Sequence, residues 1–504
     1  MSLRVALSLA TLAACGSQSM NTTPHTPDPD RNGTDEPTPP GPVGAWEDCE
    51  PLTIQMAAGP ECLTYDVPLR WSEVDSEPTL QFTVFRYLTD DPEPQGQIWA
   101  LDGGPGGTGA GPGNPDFVGH MNALGFDVYI PSQRGTSGVD ALSCTNAHEW
   151  ASCHAQLVDA YTLEGLAGFA TSEAALDTSM ALGDADDGTP QYLFGTSYGT
   201  YLAMRILQID EEIDGVVLDS SMTYEPDIWN AGLYADDLLM DLFAACSEDT
   251  TCAAHFPGSI EDAIALVADP THCPEVPVDG RGRLIGFTTQ LAGVIPLGLT
   301  ARLARCAPED VQVFARVEYL FGRVPPTASW VFPPEEALNE VVYNLVVVHD
   351  FLPPLTQSVF DQALVDASDL VFGDAVAALN FWDMKTSFPI ADGFVADTTV
   401  PAAPPPVLVL QGGQDLQTPS AWGQRAAESL GGTLVTVPGA GHGVYPQDTC
   451  AKSVTDAFLA DPTAQLDLTC VDALGGPSLV APTDPYFLGF IQFALGVDEI
   501  WPSP

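Results

Sequence analysis

The stretch QYLFGTSYGT, residues 191–200, decides how the rest of the chain is read. Tyr192, Leu193 and Phe194 predict a short buried strand. From 198 to 210 apolar residues recur at Tyr198, Leu202, Ile206 and Ile209, the spacing of one helix face. Between the two lies Gly195-Thr196-Ser197-Tyr198-Gly199, a G-x-S-x-G turn. A chain that turns sharply from strand into helix brings its own backbone close to itself, so only small residues fit on either side of the turn. Such a turn lifts the Ser197 hydroxyl out of the sheet. The pentapeptide alone also occurs in ordinary loops, and its surroundings give it meaning.

Upstream, residues 79–88 (TLQFTVFRYL) alternate as a strand does, and the apolar run 98–102 leads directly into Gly103-Gly104-Pro105-Gly106-Gly107. That loop lacks a following G-K-[ST] and has no lysine nearby, so it is not a nucleotide loop. With so little side chain it can present backbone N–H groups to a small anion. A further strand at 126–130 precedes Ser132-Gln133-Arg134-Gly135-Thr136-Ser137, and GVVLD at 215–219 is the strand after the turn. Strands alternating with helical stretches predict an α/β fold: a mainly parallel central sheet with helices on both faces.

After Ser221 the pattern becomes helical, with candidates at 231–245, 260–267, 299–306, 311–321 and 335–348 separated by proline-rich breaks. This reads as a mostly helical cap insertion over one end of the sheet. Strands return at 407–410 and 433–437. The first leads into Gln411-Gly412-Gly413-Gln414-Asp415, the second into Pro438-Gly439-Ala440-Gly441-His442-Gly443. A serine hydroxyl is a poor nucleophile until a base takes its proton, and the base needs a carboxylate to set its tautomer and stabilise its cation. Ser197, Asp415 and His442 supply that set in the order Ser, Asp, His. Asp219 and Asp127, also at strand ends, compete with Asp415 for the acid's place.

Together the Gly103–Gly107 loop, Arg134-Gly135-Thr136, the Ser197 turn, Asp415 with Thr418-Pro419, and Gly441-His442-Gly443 resemble the proline iminopeptidase and tripeptidyl aminopeptidase branch of the α/β-hydrolases. The likeness runs from about Trp46 to the C-terminal region and is weakest in the insertion. It implies Ser197 as nucleophile, His442 as base, Asp415 as orienting acid, and an oxyanion hole from the N–H groups of Tyr198 and Gly104. It makes Asp219 a structural aspartate. Arg134 is read as a structural residue bonding loop carbonyls, with a place lining the site as the alternative. Where relatives carry His or Asn before the double glycine, this chain has Asp102, which changes the charge beside the oxyanion loop. An exopeptidase of this kind removes residues from a free N-terminus and needs a carboxylate for the substrate's ammonium. Glu335, Glu336, Glu340, Asp350 and Asp383 in the insertion are the candidates. The alternatives are a carboxylic ester hydrolase or acyltransferase with the same triad, and a binding protein without catalysis. Epoxide hydrolases and dehalogenases are excluded because they place Asp where Ser197 stands.

The 504 residues are too many for one simple core. They divide into a signal segment at 1–15, a Pro/Thr/Asp-rich tether at 16–45, a first part of the hydrolase core at 46–222, the cap at 223–400 and a second part of the core at 401–504. MSLRVALSLATLAAC joins one arginine to a short apolar run ending in a lipobox-like Leu-Ala-Ala-Cys, which predicts export and acylation of Cys15 at a bacterial envelope membrane. Seven prolines between Pro24 and Pro42 would keep the tether extended. Ten further cysteines suit an oxidising compartment. The preferred local pairs are Cys49 with Cys62, Cys144 with Cys153, Cys246 with Cys252 and Cys450 with Cys470, leaving Cys273 and Cys306, although other pairings remain open. Secreted relatives similarly carry cysteines before the first strands, after the R-G-T turn and near the C-terminus. No C-x-x-C pair is present, so no structural zinc is expected; no cofactor is expected for the triad chemistry.

Sixty-eight acidic against 15 basic residues give a net charge of −53, with Lys385 and Lys452 the only lysines. Nucleic acid is excluded as a partner, since phosphates require clustered cations. Self-repulsion on this scale is relieved as the Debye length falls from about 10 Å at 0.1 M salt to about 3 Å at 1 M. So much acid reads first as a solvated, soluble surface; a salt-adapted surface is the sharper alternative, and it predicts that the thermal midpoint rises between 0.1 and 1 M KCl. A fall over that range would show that the acidic surface is not adapted to salt.

Overall fold

The computed structural model describes residues 40–53, 55–74, 78–145, 149–210, 212–278, 281–288, 293–321, 338–480, 495–497 and 499–502. The signal segment with Cys15, nearly all of the tether, and Glu335 and Glu336 lie outside them. Nine strands form one sheet: β1 (Gly41–Asp48), β2 (Glu61–Pro68), β3 (Thr79–Tyr87), β4 (Gly96–Leu101), β5 (Phe126–Pro131), β6 (Gln191–Thr196), β7 (Gly215–Asp219), β8 (Val407–Gly412) and β9 (Thr433–Val437). Their order is β1-β2-β3-β5-β4-β6-β7-β8-β9. The first three pairings are antiparallel, and all those from β5 through β4 to β9 are parallel. With helices on both faces this is the α/β-hydrolase fold. β4, β5, β7 and β8 are buried along their whole length, as their near-continuous apolar runs require.

Two cores lie against the sheet. One face carries the helices Thr171–Ala185, Tyr198–Ile206 and Ser420–Leu430 around Trp99, which stacks on Tyr129 at 4.9 Å. The other carries Pro115–Ala123 and Thr449–Ala460 around Phe117, Phe194 and Tyr445. β1 begins at Gly41, some five residues before the expected start of folded chain. Its mostly exposed edge position and Pro42 explain why it has a linker's composition. β2 and the helices Pro115–Ala123, Trp150–Tyr161 and Thr171–Ala185 were not singled out from sequence.

The insertion is helical as predicted, with shifted boundaries. The helix expected at 299–306 begins at Val294, and the one expected at 335–348 is described from Glu340, capped by Asn339 and ending in a π-turn over Val347–Phe351. Its parts belong to different cores. Val341 to Phe388 contribute to the sheet's own core, whereas Leu239 to Val317 form a separate cluster with Phe372. Leu495, Ile500 and Trp501 join that second cluster. The C-terminal residues, assigned from sequence to the second half of the sheet core, therefore pack on the insertion instead. Buried Arg302 is the reason. Its guanidinium donates to the carbonyls of Glu499 (2.7 Å), Ile500 (2.7 Å) and Trp501 (2.9 Å) and to Asp310 (2.9 Å).

Five disulfides join Cys49–Cys62, Cys144–Cys153, Cys246–Cys252, Cys273–Cys306 and Cys450–Cys470, the four local pairs preferred from sequence and the two cysteines they left over. Cys273 and Cys306 lie beside Glu275, but their sulfurs are bonded to each other and are not thiolate ligands. Among the described residues no helix is long and apolar enough to cross a membrane.

Replacing Arg302 by Met would leave the carbonyls of buried Ile500 and Trp501, and that of exposed Glu499, without their donor, while Asp310 keeps Arg305. A loss of about 3 kcal/mol is expected. Urea unfolding measures it, and earlier proteolytic trimming of residues 495–502 should accompany it.

Candidate active site

Ser197 stands between β6 and the helix Tyr198–Ile206 with φ 57° and ψ −123°, a conformation that non-glycine residues seldom adopt. Its N–H donates to the carbonyl of Asp219 on neighbouring β7 at 3.0 Å. The flanking glycines are required by contact distance. A Cβ on Gly195 would come within 2.4 Å of the Gly199 carbonyl, and one on Gly199 within 2.1 Å of the Leu101 carbonyl at the end of β4. The spacing G-x-S-x-G is thus the imprint of two backbone crossings at one turn. Ser197 itself remains half-exposed.

The loops that follow β8 and β9 are sewn together by backbone bonds. Gly413 N donates to Val437 O and Gln414 N to Ala440 O, both at 2.9 Å. This brings Asp415 to His442, whose Nδ1 lies 3.0 and 2.9 Å from the two carboxylate oxygens. Asp415 is held in turn by the N–H groups of Gln417 (2.8 Å) and Thr418 (3.0 Å) and by the Thr418 hydroxyl (2.7 Å). Nδ1 of the imidazole is therefore the proton-bearing nitrogen, and Nε2 is left to accept a proton. Burial alone would raise the Asp415 carboxyl, but His442 and the bonds from Thr418 hold it below the ordinary carboxylate range. Burial opposes the His442 cation, yet the charges of Asp415 and then Asp219 outweigh it and raise the imidazole above its usual value.

No hydrogen bond joins Ser197 Oγ to His442 among the described residues. Asp219 and Ser220 relate their two loops. The Asp219 carbonyl holds Ser197 N, its carboxylate accepts from Val444 N (2.7 Å) and Tyr445 N (3.1 Å), and Ser220 Oγ accepts from Gly443 N (2.7 Å). Asp219 is wholly buried, and burial pushes its carboxyl up to about 6 against the pull of these N–H groups. It is a scaffold for the His442 loop and not a rival to Asp415. Asp127, the other rival, accepts from Thr89 N at 2.7 Å, at the opposite end of β5 from the site.

The Gly103–Gly107 loop abuts the turn, since a Cβ on Gly103 would sit 3.3 Å from Ser197 Cβ and 3.8 Å from its Oγ. Asp102 organises this loop by accepting from Gly103 N and Gly109 N, each at 2.8 Å, and its burial raises its carboxyl. Gly106 N donates to Gln133 Oε1 and Gly107 N to Gly103 O, so the loop's internal bonds do not use the N–H of Gly104. Tyr198 N opens its helix and has no intrahelical acceptor. Arg134 is buried, paired with Asp177 and bonded to the carbonyls of Leu69 and Gly168, a structural post as expected from sequence.

Residues 375–470 match the family model of TAP-like proteins. The match contains Asp415 and His442 but not Ser197. No curated protein matches the chain. Among solved structures, the chain is similar to a proline iminopeptidase from Mycobacterium smegmatis at 14% identity, covering 79% of this chain and 98% of that one with a TM-score of 0.35. An esterase from Exiguobacterium antarcticum is similar at 12% identity over 75% of this chain and 96% of that one, TM-score 0.31. A Staphylococcus aureus protein of unknown function is similar at 14% identity over 80% and 99%, TM-score 0.36.

Of the carboxylates expected to meet a substrate amine, two fall outside the described residues. Asp350 needs correction: it is buried, and its Oδ2 accepts from Thr171 N (2.9 Å) and Oγ1 (2.7 Å), so the cap's inward packing removes it from any solvent-open anchor. Asp383 is exposed on the helix Val376–Ser387, which packs on Ile228–Asn230 and Trp150–Tyr161. Glu340 is half-buried and follows Asn339, whose N–H donates to Gly106 O of the glycine loop at 2.9 Å. Sequence reasoning missed Ser220, Gln133, Thr171 and Asn339. All act through contacts between segments far apart in the chain, and no local motif marks them.

A histidine base works only when neutral, so kcat/KM should fall with pH through the His442 pKa. That acidic inflection is expected above the ordinary histidine value of about 6.5. Asp415→Asn removes the neighbouring charge and should move the inflection down while lowering kcat by roughly 10³–10⁴-fold. A pH–rate profile in which both enzymes share one inflection would show that Asp415 is not the partner of the titrating base.

Proposed function

We propose that the protein is a serine hydrolase that cleaves peptide bonds near a free N-terminus. Ser197 Oγ attacks the carbonyl, His442 Nε2 takes its proton, and the N–H groups of Tyr198 and Gly104 receive the negative oxygen. His442 then passes the proton to the leaving amine, and water activated by the same imidazole clears the acyl-enzyme. The observation that carries the reading is the Asp415–His442 pair, its carboxylate buried and its imidazole half-exposed, together with a serine held at positive φ. Glu340 is the carboxylate best placed to take the substrate's ammonium, because its segment is bonded to the loop beside the nucleophile. Five disulfides favour an exported enzyme, for which Cys15 would be the lipid anchor.

A panel of aminoacyl and peptidyl chromogenic amides, set against short-chain esters, tests the substrate class. Amides with a free amine should be cleaved best, and Glu340→Gln should raise their KM on the order of tenfold while amine-blocked analogues are unchanged. Ser197→Ala should cut turnover roughly 10⁴-fold or more with the fold retained. Activity on esters alone, indifferent to blocking the amine, would replace the peptidase reading with that of an ester hydrolase.

A further inference from the structure

A chain of buried polar contacts runs beneath the reacting serine from the glycine loop to the cap. Gly106 N donates to Gln133 Oε1 at 2.8 Å, and Gln133 Nε2 donates to the Tyr198 hydroxyl at 3.1 Å. That hydroxyl lies 2.9 Å from Thr171 Oγ1, which donates to Asp350 Oδ2 at 2.7 Å while Thr171 N donates to the same oxygen at 2.9 Å. Gln133, Thr171, Tyr198 and Asp350 are all buried. Asp350 sits in the π-turn of the cap. The cap is pinned a second time by Asn339, whose N–H holds Gly106 O and whose amide donates to the carbonyls of Gly135 (3.2 Å) and Leu142 (2.9 Å).

The Tyr198 hydroxyl is what needs explaining. Its ring lies in the sheet's main core beside Tyr201, where a phenylalanine would fill the same space with no polar atom to satisfy. Tyr198 and the Gly103–Gly107 loop supply the two halves of the oxyanion hole, and they belong to different segments of chain. Gln133 touches both.

We infer that the Gln133–Tyr198–Thr171–Asp350 chain is a positioning device that sets the separation of the two oxyanion donors and ties it to the cap. The inference rests on the acyl-transfer reading of Ser197. None of the four side chains touches the substrate's reacting atoms. They act by fixing the backbone that does, and a donor displaced by a fraction of an ångström stabilises the transition state less while substrate binding is retained. The cap segment from Asn339 to Asp350 is accordingly a fixed wall of the site, and substrate enters past it without lifting it.

The test uses a fluorophosphonate probe on the full chain: Ser197 Oγ bonds to phosphorus, fluoride leaves, and the hydroxyl proton goes to His442. Saturation kinetics separate the maximal labelling rate from the binding constant. Thr171→Val and Tyr198→Phe each remove one hydroxyl, and both should lower the maximal rate roughly tenfold with the binding constant unchanged, a fraction of the loss on deleting a donor outright. Thr171→Ser, which keeps the hydroxyl, should recover most of it. Tyr65→Phe is the control for stability alone, because it deletes the hydrogen bond from a buried ring's hydroxyl to exposed Asp184, on β2 away from the site. It should lower the thermal midpoint and leave labelling as in the wild type. Wild-type labelling rates in both Thr171→Val and Tyr198→Phe, or an equal fall in Tyr65→Phe, would overturn the positioning role and leave Ser197 as nucleophile. Failure of the wild-type protein to be labelled at Ser197 would overturn the acyl-transfer reading and this inference with it.

Discussion

The backbone conformation of Ser197 is the constraint on which the site depends. A non-glycine residue at positive φ costs about 1–3 kcal/mol and persists only where its surroundings over-determine it. Here β6 ends beside β7, so that Ser197 N meets the Asp219 carbonyl, while Gly195 and Gly199 let three stretches of backbone cross within contact distance. The strain is local and its support is spread through the sheet. Moving β7 relative to β6 would release the turn and lower the hydroxyl back into the strand's line.

The same neighbour then does a second task. Asp219 presents its carbonyl to the nucleophile's segment and its carboxylate to the segment that follows His442. One residue at the end of one strand therefore sets the spacing of two loops more than 200 residues apart in sequence. The electrostatics follow from the placement. Asp415 and Asp219 both lie near the imidazole, and their summed charge favours the imidazolium that must form when the serine proton is taken. Asp415 performs this through direct bonds and Asp219 through distance alone, which is why the first is held ionised and the second is pushed up by burial.

The insertion divides its attachments between two cores. Its later part joins the sheet's core, reaching the glycine loop through Asn339 and Thr171 through Asp350, whereas its earlier part builds a cluster of its own that the C-terminal residues complete. Arg302 gathers those C-terminal carbonyls, so a single cation substitutes for a strand or helix that would otherwise have satisfied them. In a chain with so few cations, Arg134 and Arg302 stand inside the protein holding backbone carbonyls and one carboxylate each.

The sequence by itself determined whatever rests on residues close together in the chain. The buried runs of β4 to β8, the glycines flanking Ser197, and the carboxylate and imidazole just past β8 and β9 were legible because strand period and turn sterics act within a few residues. The cysteine pairs were legible for the same reason, most being separated by short loops. Only the tertiary structure decided which acid faces the imidazole, that Asp350 turns inward to Thr171, that Asn339, next to Glu340, is bonded to the glycine loop, and that the C-terminal residues leave the sheet for the insertion. These outcomes depend on desolvation and on hydrogen bonds between segments far apart in sequence. In a chain with 68 carboxylates, no local pattern distinguishes the few that the fold buries from those left in water.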